Sequence, residues 1–163
     1  MPIKKTARRS GNTRKSSGPD AITLLKKDHQ KVRSLLKKLA STENRETRRN
    51  LFDQIDSDLQ AHTKIEEEIF YPAFRDAVRT KEQKRLYFEA LAEHHVVDMV
   101  LPEMRSYSLT PEEFAAKAKV LKEVVEHHAE EEESDMFPKA RKALGETALR
   151  ELGMRMQRRK DQI

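Results

Sequence analysis

One eleven-residue pattern occurs twice in this chain. His62-Thr63-Lys64-Ile65-Glu66-Glu67-Glu68-Ile69-Phe70-Tyr71-Pro72 has the same layout as His128-Ala129-Glu130-Glu131-Glu132-Glu133-Ser134-Asp135-Met136-Phe137-Pro138. In both, a histidine is followed by a glutamate at +4, an aromatic at +9 and a proline at +10. Four residues make about one helical turn, so His62/Glu66 and His128/Glu132 each present an imidazole and a carboxylate from one face of a helix. Used twice, such a pair supplies what a two-metal site inside a helical bundle requires. The chain is therefore expected to be all-α.

The rest of the sequence agrees. Charged residues make up 37% and hydrophobic residues 36%, with only four glycines and six prolines in 163 residues, a composition that favours amphipathic helices. A first helix is expected from Asp20, which follows Pro19 and can cap it, with Ile22, Leu25, Val32, Leu36 and Leu39 on one stripe and His29 among them. A second is expected over about 46–70, with Leu51, Ile55, Leu59, His62 and Ile69 inward. Proline removes a backbone donor and crowds the preceding turn, so Pro72 is expected to break or kink that helix. A third spans about 82–106, with Leu86, Ala90, His94, Val97, Leu101 and Met104 on its stripe.

The fourth opens at Thr110-Pro111-Glu112-Glu113, which joins an N-cap, a first-turn proline and acids at the positive dipole end. Phe114, Ala118, Leu121, Val125, His128, Glu132 and Met136 line its stripe, and Pro138 is expected to close it. A shorter helix is expected over about 146–159. These elements imply an antiparallel up-down-up-down four-helix bundle over 20–144 with a helical extension over 145–163.

All six histidines fall at four places: His29, His62, His94/His95 and His127/His128. Each of the four helices thus offers one stripe histidine. A single histidine on an apolar face is usually a satisfied core residue. One per helix, with two glutamates at +4, points to ligation instead. Glu66 and Glu132 would lie on core-facing stripes, where an unpaired carboxylate costs several kcal/mol. No stripe lysine or arginine compensates them, whereas a metal cation would. Register selects within the histidine pairs. His128, unlike His127, reproduces the +4 glutamate and +10 proline, and His94 has Val97 and Leu101 at +3 and +7 where His95 would place Asp98 at +3. Asp98, four residues after His94, is either a further ligand, an acceptor behind one, or a charge flanking the stripe. The metal set is then His29, His62, Glu66, His94, His128 and Glu132. The other members of the acidic runs 66–68 and 130–133 are expected to face solvent.

Cysteine is absent, which excludes disulfides, thiolate metal sites and cysteine nucleophiles. No run of about 18 apolar residues exists and no apolar leader stands at the amino terminus, so a cytoplasmic chain without a membrane span is expected. Residues 1–19 hold Lys4, Lys5, Arg8, Arg9, Arg14 and Lys15 and no acid, so their six positive charges exceed the net +5 of the chain and leave residues 20–163 at −1. This stretch has too little apolar content to order itself, and is expected to be a disordered basic tail. It could attach loosely to nucleic acid or another polyanion, without aromatic residues to read bases.

Nitrogen and carboxylate ligands without thiolate suit iron, manganese or zinc. Ferritin-like bundles use Glu-x-x-His, the reverse order at a spacing of three, which disfavours that family. Asp28-His29, His62…Glu66 with Tyr71-Pro72, Glu93-His94, and His128…Glu132 with Phe137-Pro138 together resemble the hemerythrin-like (HHE cation-binding) domain over about residues 20–140. The resemblance implies a four-helix bundle holding two non-haem iron ions, oxo- or hydroxo-bridged, with Glu66 and Glu132 as bridging carboxylates. Oxygen-carrying hemerythrins have five histidines, two of them four residues apart on the third helix. Here His94 is followed at +4 by Asp98 and His95 by Met99. Two six-coordinate irons offer about twelve positions. Bridging carboxylates, four histidines and the oxygen bridge leave two open, where the carrier leaves one.

Open positions favour binding of, or reaction with, dioxygen, peroxide or nitric oxide in stress response or sensing. Whether such reactivity amounts to enzyme catalysis is left open by the ligand set. Iron storage, donation or repair of iron centres is the alternative class, and a polyanion-binding module acting through the tail is a third.

Overall fold

The structure, a computed structural model, describes residues 18–106 and 109–163. It contains α1 (Ala21–Ser41), α2 (Arg45–Ile65), a π turn at Glu66–Phe70, α3 (Tyr71–Ala77), α4 (Lys81–Arg105), α5 (Pro111–Glu131), a second π turn at Glu132–Met136 and α6 (Phe137–Lys160). Among the described residues there is no strand, and no helix is long and apolar enough to cross a membrane. The tail 1–19 lies almost wholly outside the described residues.

Caps set the helix starts. The Asp20 and Asn44 side chains accept from the Thr23 and Thr47 backbone N–H groups, both at 2.9 Å. Thr80 with Gln83, and Thr110 with Glu113, form reciprocal capping boxes at the heads of α4 and α5.

Pro138 does not close its helix, contrary to the expectation from sequence, and at Pro72, where a break or kink was expected, the helical path is altered but not ended. A π turn precedes each: the Tyr71 N–H reaches back five residues to the Glu66 carbonyl, and the Phe137 N–H to the Glu132 carbonyl. The wider turn dispenses with the bond a proline cannot make and relieves the crowding of its ring. The helical path then continues as α3 and α6. One extra residue in a turn rotates everything after it by roughly 100°, which carries Tyr71 and Phe137 to the interior, where both are buried. The proline at +10 is thus the mark of a π turn that begins at the glutamate.

Two apolar layers fill the bundle. One joins Ala21, Leu24, Leu25, Ile65, Phe70, Tyr71, Phe74, Ala90, Met136 and Phe137 with Leu149, Leu152 and Met156. The other joins Val32, Leu36, Leu39, Phe52, Ile55, Leu59, Val97, Leu101, Leu121 and Val125. Along α1 and α4 the chain runs from the first layer to the second, and along α2 and α5 it returns, which gives the antiparallel up-down order. Each stripe histidine sits where its helix passes from one layer to the other.

The carboxy-terminal segment closes the first layer. α6 breaks at Gly145, whose φ of 77° suits glycine alone among common residues. Its second half then lies against the start of α1. At Gly153 a β-carbon would stand 2.4 Å from the Pro19 carbonyl oxygen and 2.8 Å from the Ala21 nitrogen, so the missing side chain permits this approach. Residues 145–160 thereby pack into the same core as the bundle.

Candidate metal centre

Between the two layers lies a band of buried polar groups: His29, His62, Glu66, His94, His128 and Glu132. These are the six residues that the stripes and the repeat single out, and the fold brings all six together. His29 Nε2 and His62 Nε2 are 3.2 Å apart, as are His94 Nε2 and His128 Nε2. The two glutamates lie across the pairs. Glu66 Oε2 is 3.2 Å from His62 Nε2 and 3.3 Å from His94 Nε2. Glu132 Oε2 is 3.2 Å from His29 Nε2 and 3.6 Å from His128 Nε2. Each carboxylate therefore touches one imidazole of each pair, the placement a bridging ligand needs. Two groups of convergent donors result, His29/His62/Glu66/Glu132 and Glu66/His94/His128.

A carboxylate backs every ring. His29 Nδ1 is 2.9 Å from Glu133 Oε1, His94 Nδ1 2.8 Å from Glu67 Oε1, and His128 Nδ1 2.8 Å from Glu93 Oε2. His62 Nδ1 has a longer contact, 3.5 Å to Asp28 Oδ2. Arg33 holds Glu133 at 2.8 Å, and Lys160 holds Asp28 at 2.5 Å. A carboxylate accepting from Nδ1–H leaves the lone pair on Nε2. In each histidine pair the two Nε2 atoms face each other at 3.2 Å, so that both are placed to reach one cation.

These backing acids were not legible as such. Glu67 and Glu133 follow the two core glutamates, and Asp28 and Glu93 precede the first histidine of each half. An acid beside His29, Glu66, His94 and Glu132 in sequence was the available signal, but only the crossing of the helices shows that each serves a ring on another helix. Glu67 is exposed, as expected of its run, and Glu133 is partly buried, but each also reaches a ring. Asp98, His95 and His127 are exposed and take no part in the band.

Tyr71 is a further member that the stripes did not single out. Its hydroxyl lies 3.2 Å from His94 Nε2 and 3.4 Å from both His128 Nε2 and Glu66 Oε2. The equivalent residue of the second repeat, Phe137, stacks on His29 with ring centres 5.8 Å apart. The tyrosine/phenylalanine difference at +9 was the sequence signal for this asymmetry.

Electrostatics bear on the fit. Burial drives Glu66 well above the ordinary glutamate range, and the Glu132 charge adds to this. Glu132 is pulled below that range, because the His128 and His29 charges outweigh its burial. Burial works against charge on His29 and His128, but Glu132 overcomes it and raises both. His62 is pushed down to about 4, mainly by burial. Burial, with the charges of Glu132 and Glu66, raises Tyr71 well above 10.0, so it stays a phenol. Glu66 Oε1, both Glu132 oxygens and His62 Nδ1 are buried without a hydrogen-bond partner. Buried carboxylate oxygens without a hydrogen-bond partner beside converging imidazole nitrogens are a donor set that metal cations fit.

Over the imidazoles lies a cavity of about 20 Å³, walled by Val32, Leu59, Val97 and Val125, one aliphatic residue from each of the four helices. It is large enough for about one water-sized guest.

An antiparallel helical bundle with an imidazole–carboxylate cage at its waist defines a cation-binding bundle protein. The chain belongs to the hemerythrin HHE cation-binding domain family, whose model matches residues 20–140. An uncharacterised protein of Mycobacterium tuberculosis is 31% identical over 147 residues, which cover 88% of this chain and 87% of that one. A crystal structure of a hemerythrin HHE cation binding domain-containing protein from Mycobacterium kansasii superposes with a TM-score of 0.75 at 32% identity, covering 88% of this chain and 86% of that one. A protein of Nostoc sp. described as a DNA nickase is 29% identical over 121 residues, 74% of this chain but 33% of its own length. The chain thus spans about a third of that relative.

Proposed function

We propose that the cage holds two iron ions and that the protein binds or reacts with a small oxidant: dioxygen, peroxide or nitric oxide. The observation that carries this reading is the small apolar cavity set directly against four imidazoles, a space suited to a diatomic guest and too small for a metabolite. His29, His62, His94 and His128 would hold the ions through Nε2, with Glu66 and Glu132 as the carboxylate ligands. Iron bound there would supply a centre that exchanges electrons with such a guest.

The chain's own residues do the rest. Glu133, Glu67 and Glu93 fix the ring orientations of His29, His94 and His128. Val32, Leu59, Val97 and Val125 keep bulk water from the cavity. Tyr71 keeps a proton at its hydroxyl oxygen beside His94 and His128, whereas Phe137 offers none beside His29. The two halves of the cage therefore differ by one hydrogen-bond donor.

Anaerobic reconstitution with Fe(II), followed by metal analysis, tests the reading. About two irons per chain are expected, with loss in His62→Ala and Glu132→Ala. Far fewer in the parent, or full retention in both variants, would overturn it. Consumption of peroxide over many turnovers supports reaction, whereas release of iron on adding oxidant supports the storage or donation alternative.

A second reading concerns a partner. The basic residues of 1–19 and the Nostoc relative described as a DNA nickase favour weak attachment to nucleic acid. Binding to duplex DNA should then fall steeply with salt and vanish on deleting residues 2–19.

A further inference from the structure

A second set of metal-type donors lies outside the cage. Glu93 on α4 and His127 and Glu131 on α5 place one ligand atom each within 4.8 Å of one another. His127 Nε2 is 3.5 Å from both Glu93 Oε1 and Glu131 Oε1. His127 and Glu131 are four residues apart, so a histidine–glutamate pair of the cage's own spacing is repeated one residue earlier on α5, turned to solvent. His127 is 63% exposed. Among the described residues no lysine or arginine pairs with Glu93 or Glu131; their charged partners are histidines alone.

This trio is joined to the interior. One cleft is lined by Glu93 and Glu131 at its outer side and by His128 and Glu132 within. Glu132 is 2% exposed and both its oxygens are without a hydrogen-bond partner. Glu93 itself spans the two sites, with Oε1 toward His127 and Oε2 accepting from His128 Nδ1 at 2.8 Å. The cleft thus runs from Glu93 and Glu131, the two carboxylates beside His127, to a buried carboxylate of the cage without a hydrogen-bond partner.

We propose that Glu93, His127 and Glu131 form a surface site for a divalent cation at the mouth of this cleft, through which the cage is loaded. One nitrogen and two carboxylates suit Fe(II), Mn(II), Co(II) or Zn(II), with water completing the shell. Three donors at the surface, His127 exposed and Glu93 and Glu131 partly buried, hold such an ion more weakly than six buried ones, which is the order of affinity a loading site needs. The inference rests on the cage being a metal site.

Co(II) is the probe, because its visible absorption reports ligation without turnover. Metal-free protein is mixed anaerobically with Co(II), and the cage signal is followed in time for the parent, His127→Ala/Glu131→Gln and Glu130→Gln. Glu93 is left intact, since it orients His128. The double variant is expected to load at least about tenfold more slowly and to reach the parent's final spectrum. It should also lose the weak additional ion that the loaded parent takes up at higher Co(II). Glu130→Gln, which removes one charge from the same turn, should load like the parent. Equal rates in parent and double variant, or equal slowing by Glu130→Gln, would overturn the loading site. If the parent shows no cage signal at all, the reading of the cage fails instead, and this inference falls with it.

Discussion

Glu133 offers the sharpest test of how the cage is held. It follows Glu132 in a run of four glutamates, 130–133, that looks like one solvated face. In the fold its Oε1 is 2.9 Å from His29 Nδ1 and 2.8 Å from Arg33, and the ring it orients is 4% exposed. A hydrogen bond to a charged group contributes about 1.5–3 kcal/mol. Glutamine keeps an acceptor at the same place but loses the charge, so about half of this should remain. A loss near 1.4 kcal/mol is a tenfold change in an equilibrium constant. Glu133→Gln should therefore weaken metal binding about tenfold, and Glu133→Ala up to about a hundredfold, as the loss of an acceptor behind a ligating histidine typically does. Glu130, exposed in the same run, touches no ring, so Glu130→Gln should match the parent. Affinity is measured by anaerobic competition of Fe(II)-loaded protein with a ferrous chelator, and helicity is checked in parallel. Equal affinities for Glu133→Gln and Glu130→Gln would refute the backing role, as would a Glu133→Ala variant as tight as the parent.

Other outcomes follow from the same structure. His95→Ala and Asp98→Ala should leave iron content unchanged, because both side chains are exposed; loss of iron from either would show that α4 supplies a ligand the fold does not bring inward. Gly153→Ala gains about 1 kcal/mol of helix propensity but drives a β-carbon into the Pro19–Ala21 backbone. It should lower stability by about 1–3 kcal/mol net, seen as a lower denaturation midpoint. Asp56 accepts from Arg105 at 2.5 and 2.7 Å and from Gln60 at 2.7 Å. Burial pushes its carboxyl up, but the Arg105 and Gln60 bonds outweigh this and hold it below the ordinary 3.8. Its contribution, about 1 kcal/mol given the half-exposed arginine, is present above about pH 4 and lost as pH falls through the lower folded value. Asp56→Asn should remove that part of the acid limb in denaturation curves taken across pH, and an unchanged limb would count against the ion pair.

The helices and the six cage residues were legible in the linear chain because both obey the period of a single helix. His62/Glu66 and His128/Glu132 declare their shared face by spacing alone, and the apolar stripes place His29 and His94 on theirs. Register even separated His128 from His127, since only one of them keeps the +10 proline. What lay beyond reach was whatever depends on two helices at once. Asp28, Glu67, Glu93 and Glu133 each back a histidine on another helix, and no period within one element reveals such a pairing. The prolines misled for a related reason. Judged by local chemistry, Pro72 breaks or kinks a helix and Pro138 ends one; in the bundle, a π turn starting at each core glutamate accommodates them, and packing of Tyr71, Phe74 and Phe137 in the core carries the helices on. Spacing thus chose the residues that face the interior, and tertiary packing decided which atoms meet there, because the distance between helices is a property of the assembled core and of no one segment.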